Sequence, residues 1–166
     1  MALADNPDFR FIVSNTTEAG IEFVDSCKFQ DKPALSFPGK LTQFLYRRYK
    51  NGLKGFIILS CELIDNNGTE LKKCVLKYAD LWNLGDDFKS WLETENHFVN
   101  TLVDRIVTGY PNDETKEMHP DDKFLDTAEI FHLWVIEGDF EKEFPLKKAG
   151  FNVVWTDDAK PNKKIK

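Results

Sequence analysis

The stretch Asn96-His97-Phe98-Val99-Asn100-Thr101-Leu102-Val103-Asp104-Arg105-Ile106-Val107-Thr108-Gly109-Tyr110-Pro111 sets an amide and a carboxylate among aliphatic residues, then stops at a turn. An amide donates and accepts, whereas a carboxylate only accepts, so Asn100 and Asp104 together suit a ligand rich in hydroxyls. Each such hydroxyl is expensive to bury without a partner. The bland alternative is an Asp104–Arg105 ion pair fixing the end of a helix. A second candidate is Ser60-Cys61-Glu62-Leu63-Ile64-Asp65-Asn66-Asn67-Gly68, which leaves the C-terminal end of a predicted parallel strand. Open α/β sheets bind ligands at such ends. An ordinary strand exit would account for Asn-Gly equally well. A third is the hydroxyl-rich loop Ser14-Asn15-Thr16-Thr17-Glu18, which also reads as a helix cap. His97, His119 and His132 share no metal-ligand spacing with each other or with cysteine, so no metal site is expected. No serine nucleophile elbow and no P-loop occur.

The elements that must hold these groups follow from the apolar pattern. Phe9 to Val13 reads as a strand, and residues 14–20 as a polar loop. Ser36 predicts an N-cap with Pro38 in the first turn. Leu41, Phe44, Leu45 and Arg48 follow at helical spacing, and Asn51-Gly52 ends the helix. Gly55 to Cys61 is a continuous apolar run of the kind found inside parallel sheets. Thr69 can cap a helix with Leu71, Cys74, Val75, Tyr78 and Leu81 on one stripe. Asp86 and Asp87 open another, with Phe88, Trp91 and Leu92 inward. Pro111 to Asp122 is a polar flap, Phe131 to Ile136 and Phe151 to Thr156 are strands, and Lys160 to Lys166 is a basic tail. Strand, helix, strand, helix, helix, strand, strand describes an α/β fold, partial and Rossmann-like. Its sheet is mostly parallel, with flanking helices and an antiparallel edge.

The 166 residues carry a net charge of −6, which argues against nucleic acid or an anionic membrane as the main partner. Apolar runs such as Phe56-Ile57-Ile58-Leu59 are far too short to span a bilayer. The start Met1-Ala2-Leu3-Ala4-Asp5 lacks the basic and apolar regions of a signal peptide. Three cysteines without a C-x-x-C read as reduced, core-packed thiols in a cytoplasmic protein.

Taken together, the motifs resemble those of the mannitol dehydrogenase family, the polyol-specific long-chain dehydrogenases. Asn100-Thr101-Leu102-Val103-Asp104-Arg105-Ile106 is similar to that family's N-S-M-V-D-R-I. Ser60 to Gly68 is similar to S-C-D-N-x-x-x-N-G, with Glu62-Leu63 in place of Asp-Asn. That change removes an amide which the mannitol enzymes present to substrate. Residues 14–21 resemble T-x-T-E-x-G-Y, with Ile21 at the aromatic position, and residues 131–140 resemble Q-W-V-I-E-D-x-F. Pro161 to Lys166 falls where the family has P-Y-x-x-R-K, with Asn162 for Tyr and Ile165 for Arg.

The resemblance implies hydride transfer with NAD on a small sugar acid or polyol. The wording is most like the branch that interconverts tagaturonate and altronate. A mannitol- or fructuronate-type enzyme is the near alternative, and a noncatalytic binding domain of the same ancestry is another. By resemblance, Asn100 and Asp104 bind substrate. Thr16, Thr17, Glu18 and Val103 lie on the cofactor side, and Lys166 matches the lysine that opens the catalytic K-x-x-x-x-N-x-x-H. On its own chemistry a lysine in water keeps a pKa near about 10.4, too high for efficient proton transfer at neutrality. Lys166 then reads as a solvated tail residue. No G-x-G-x-x-G occurs. The resemblance therefore implies that residues 1–166 form the C-terminal part of a Rossmann-type N-terminal domain. The Gly-rich turn, the residue choosing NAD over NADP and the C-terminal helical domain would lie outside it. A sheet cut in this way would expose edges through which the chain can self-associate.

Overall fold

The computed structural model describes residues 1–112 and 114–159. In chain order the elements are β1 (Phe11–Ser14), α1 (Phe37–Lys50), β2 (Ile57–Ser60), α2 (Asn67–Leu81), α3 (Asp86–Thr94), β3 (His97–Asp104), β4 (Val107–Gly109), α4 (Glu114–Met118), β5 (Thr127–Ala128), β6 (Leu133–Glu137) and β7 (Val153–Thr156). The main sheet runs β1-β2-β3-β6-β7. The first three strands are mutually parallel, β6 is antiparallel to β3, and β7 is parallel to β6. The chain is thus a mostly parallel, Rossmann-like α/β fold whose last two strands run the other way.

α1 starts and stops where its caps dictate. The Ser36 hydroxyl accepts from the Gly39 amide at 3.1 Å, Pro38 occupies the first turn, and Gly52 beyond the end takes φ +64°. β2 is buried on both faces, as its unbroken apolar run requires. Phe56 and Ile58 pack under the helices with Leu41, Leu45, Leu71, Val75, Phe88 and Leu92. Ile57 and Leu59 face the other way, against Val99, Ile136, Leu146 and Val153. Arg48, on the inward stripe of α1, is wholly buried, and among the described residues it forms no ion pair. Its guanidinium donates to the carbonyls of Lys54, Ala4, Asn6 and Pro7 and lies over the Phe56 ring at 4.6 Å. Five N–H groups in a planar fork let one side chain tie the N-terminal turn to the end of α1.

Four expectations are corrected. The segment around Asn100 is a strand, β3, at the middle of the sheet. Its polar Asn100 and Thr101 break the apolar alternation by which a strand is recognised. Asp104 and Arg105 accordingly stand at a strand end, not a helix end. Helix α2 begins at Asn67 rather than behind a Thr69 cap, with Asn66 in the left-handed region at φ 54°. The expected polar flap contains α4 and joins β4 to β5, which form a separate antiparallel ribbon. Leu81, placed on the inner stripe of α2, is exposed, and the buried positions there are Leu71, Val75, Tyr78 and Ala79.

β3 changes partner at its midpoint. Residues 97–100 pair with β2 and residues 101–104 with β6. β2 has ended by then, and the Asn67 side chain takes its place. The Asn67 amide donates to the carbonyls of Thr101 at 2.9 Å and Glu62 at 3.0 Å, and accepts from the amides of Thr101 at 3.0 Å and Gly68 at 2.9 Å. All four hydrogen-bonding positions of a buried amide are filled. Asn67→Ala is therefore expected to destabilise the fold by about 3–5 kcal/mol, because several buried backbone groups lose their partner together. Urea unfolding checks this, and a loss under about 1 kcal/mol would show the amide to be dispensable.

A second prediction concerns acid. Burial raises the Glu141 pKa, but hydrogen bonds from the Lys148 amide, the Trp155 indole and the Lys147 amide more than offset it and hold the carboxyl below its ordinary value. A depressed folded-state pKa adds stability above the unfolded value and loses it as pH falls through the folded value. The melting temperature should drop below about pH 5 in the native chain and drop less steeply in Glu141→Gln.

Candidate active site

Where β2 and β3 run out at their C-terminal ends, a cavity of about 580 Å³ opens. Cys61, Glu62, Leu63, Ile64, Asp65 and Asn66 wall it after β2, and Asn100, Thr101, Leu102 and Val103 wall it from β3. Glu137 from β6 and Ala159 complete the lining. A parallel sheet directs its loops to this end, so the position follows from strand direction alone.

Glu62 is 2% exposed. Its carboxylate accepts from the Ser14 hydroxyl at 3.1 Å, the Thr16 amide at 3.3 Å and the Thr16 hydroxyl at 3.0 Å. The loop after β1 is thereby fastened to the loop after β2. Among the described residues, no cation forms an ion pair with it. Glu137 holds the other wall, accepting from the Asn100 side-chain amide at 2.6 Å. The Asn100 carbonyl oxygen accepts from the Thr69 amide at 2.9 Å, so Asn100 caps α2 from the neighbouring strand. Asn100 and Glu137 also line a second cavity of about 480 Å³, which includes Lys72, His97 and Phe140. Their hydrogen bond belongs to both spaces.

Cys61 is kept a neutral thiol. Burial pushes its pKa up and Glu62 adds to this, outweighing the contact from the Thr101 hydroxyl at 3.5 Å. A thiol so shifted is a poor nucleophile near neutrality. The charged lining residues of the larger cavity, Glu62, Asp65 and Glu137, are all acids.

The residues singled out in the sequence separate into three groups. Asn100 and Val103 line the cavity, and Thr16 reaches its wall through Glu62. Asp104, one residue beyond Val103, is exposed and outside the lining, as are Thr17 and Glu18 at the start of a short 3-10 turn. No ion pair joins Asp104 to Arg105 among the described residues. Arg105 instead donates to the Glu129 carbonyl at 3.1 Å, which removes the structural-pair alternative. Lys166 lies outside the described residues. Glu137 is the residue that sequence reasoning does not place at the site: it falls within the motif that residues 131–140 resemble, but a carboxylate ending an apolar strand does not declare which cavity it faces. Glu62 is visible only as a departure from a motif, yet its carboxylate takes three hydrogen bonds from the loop after β1.

Comparison with known proteins agrees with this geometry. The pattern described as the mannitol dehydrogenase Rossmann domain matches residues 1–148. Over 97% of its length the chain is 53% identical to the altronate oxidoreductase of Phocaeicola vulgatus and 52% identical to that of Bacteroides thetaiotaomicron. It is 49% identical over its whole length to that of Shigella flexneri. It spans 36% of the length of each of these relatives. Among solved structures it is similar to a substrate-free D-sorbitol dehydrogenase, with a TM-score of 0.74 and 26% identity over 95% of this chain and 36% of that one. It also shares its fold with Pseudomonas fluorescens mannitol 2-dehydrogenase, with a TM-score of 0.71 and 23% identity over 95% of this chain and 35% of that one. The strand order, the motif residues gathered at the ends of β2 and β3 and the match over residues 1–148 lead to one assignment: the chain belongs to the mannitol dehydrogenase family, through the pattern of its Rossmann domain.

Proposed function

We propose that this chain is part of a cytoplasmic NAD-dependent oxidoreductase that interconverts tagaturonate and altronate by hydride transfer. The observation that carries the reading is the cavity at the ends of β2 and β3, polar at Glu62, Asn100 and Glu137, in a chain about half identical to altronate oxidoreductases. The mannitol 2-dehydrogenase of the same fold was solved with NAD and D-mannitol. The residues present fit a nicotinamide nucleotide. Leu63, Ile64 and Val103 offer apolar wall, about 580 Å³ is room for a nicotinamide and its ribose, and the 16–18 loop stands beside the strand ends. The bound cofactor supplies the acceptor for the substrate's hydride.

In this reading Thr16, Thr17, Glu18 and Val103 hold the cofactor side, and Asn100 and Asp104 the sugar. A sugar hydroxyl that opens the Asn100–Glu137 bond gains a donor and an acceptor at one point, so orientation costs the site little. Lys166 is the proposed proton donor to the ketone oxygen, a role that requires burial or nearby cations to lower its pKa. The same reading sets the chain within a longer polypeptide. A Gly-rich pyrophosphate turn comes before it, and a helical domain after it supplies the partners of Lys166. A second reading, a neutral polyol such as mannitol as substrate, draws support from the acidic lining, which repels a substrate carboxylate.

Two measurements test these assignments in the full-length protein. NADH formation from altronate, and NADH oxidation by tagaturonate, are expected with little turnover of mannitol. Turnover of mannitol without turnover of altronate would select the second reading. Asp104→Asn should lower kcat/KM at least about tenfold, equivalent to 1.4 kcal/mol of transition-state stabilisation. Because Asp104 is exposed and not paired with Arg105, its melting temperature should stay unchanged. Wild-type kinetics with a lowered melting temperature would remove Asp104 from the site.

A further inference from the structure

Glu62 poses a physical problem that the proposed reaction does not use. A carboxylate 2% exposed, with no cation in an ion pair among the described residues, is costly unless its bonds do something. Its three hydrogen bonds all come from one short segment, Ser14 to Thr16, and two of them from Thr16. Gly20 stands against the Thr16 side chain, which is otherwise exposed. A Cβ built on Gly20 would lie 1.9 Å from the Thr16 hydroxyl oxygen and 2.5 Å from its Cβ. Thr16 is thus clamped between a buried carboxylate and a glycine backbone. The 3-10 turn Glu18–Gly20 forms the return of the same loop, with the Gly20 amide donating to the Thr17 carbonyl at 2.7 Å.

From this clamp we infer that Glu62 is a positioning residue, holding the Thr16-Thr17-Glu18 loop in place through Thr16 and thereby setting cofactor affinity rather than the chemical step. The inference rests on the proposed assignment of that loop to NAD. The carboxylate acts through geometry. Both of its oxygens are occupied by the loop, one by the Ser14 hydroxyl and the other by the Thr16 amide and hydroxyl. A glutamine fits the same place. Its oxygen can accept from the Thr16 amide and hydroxyl, and its NH2 can donate to the Ser14 hydroxyl oxygen, which accepts as well as donates. An alanine keeps none of these bonds.

The test compares Glu62→Ala, Glu62→Gln and Thr16→Val in the full-length protein, using NAD and altronate. Glu62→Ala should raise KM for NAD about tenfold or more, with kcat at saturating NAD within about threefold of wild type. Glu62→Gln should recover most of the loss. Thr16→Val should raise KM partway and add little when combined with Glu62→Ala, because both remove the same clamp. Hydrogen exchange supplies a readout independent of activity: the Thr16 amide should exchange slowly in wild type and Glu62→Gln and quickly in Glu62→Ala. If wild type lacks altronate-dependent NADH formation, the functional reading falls, and the exchange arm still decides whether the clamp exists. Two results would overturn the inference. One is a kcat at saturating NAD that falls more than about tenfold in both Glu62→Ala and Glu62→Gln, since the charge would then act on the reactants. The other is unchanged KM and unchanged exchange in Glu62→Ala. Should Glu62→Ala fail to fold, Thr16→Val alone carries the decision, and an unchanged KM there overturns the inference.

Discussion

A parallel sheet that opens a site at its end must leave backbone groups without ladder partners there, and the Asn67 amide meets that constraint here. β2 stops at Ser60 while β3 continues, so the N–H and C=O of Thr101 would face a missing strand. The Asn67 side chain bonds both and so stands in for the absent residue of β2. Gly68 then lets α2 cross over β3 at once. A side chain there would lie 2.5 Å from the Val99 carbonyl. Asn96 does a similar job at the opposite end, accepting from the Phe56 amide at 2.9 Å and donating to the Trp91 carbonyl at 3.1 Å. Two buried asparagines therefore bracket the central ladder, and the cavity exists because one of them allows β2 to end early. A buried amide left half-bonded would cost more than an apolar residue in its place, so both must be satisfied for the arrangement to hold.

From that point the polar groups of the site follow in order. The loop that Asn67 pins by the Glu62 carbonyl also carries the Glu62 carboxylate, which reaches back to the loop after β1. The strand that Asn67 pins at Thr101 carries Asn100 immediately before it, and Asn100 joins the start of α2 to Glu137 of β6. Asn100 thus serves the fold and lines the cavity with the same side chain. Its side chain is already bonded on both sides before any ligand arrives. A ligand bound as proposed would have to compete with Glu137 for the Asn100 amide.

The acidic lining bears on how the family varies. The mannitol-type motif that residues 60–68 resemble has Asp-Asn where this chain has Glu62-Leu63. Glu62 lies buried and bonded to backbone and hydroxyls, whereas Leu63 is 73% exposed at the cavity. The swap thus replaces a polar group at the mouth by an apolar one and leaves a carboxylate at the wall. Leu63 presents surface without hydrogen-bonding capacity, so the polar surface of the cavity lies with other lining groups, Asn100 and Glu137 among them.

The sequence by itself determined the layers. The Ser36 cap, Pro38, the Asn51-Gly52 stop and the unbroken run into β2 are local signals, and each acts through bonds within a few residues of itself. The motifs likewise marked which loops meet at a site, because covalent order and strand direction send the loops after β1, β2 and β3 to one end. What only the tertiary structure decided is what those residues do there. β3 is a strand because neighbours on both sides pair with it, a preference its own Asn100-Thr101 does not declare. Thr69 lies inside the first turn of α2, where its own amide donates to the Asn100 side chain thirty-one residues away. Asp104 and Arg105, adjacent in sequence, form no ion pair, since Arg105 reaches the Glu129 carbonyl across the β4–β5 ribbon. The bonds of Glu62, Asn67 and Glu137 span sequence separations of up to 48 residues, and no local pattern can encode a partner brought that close only by the packing of the sheet.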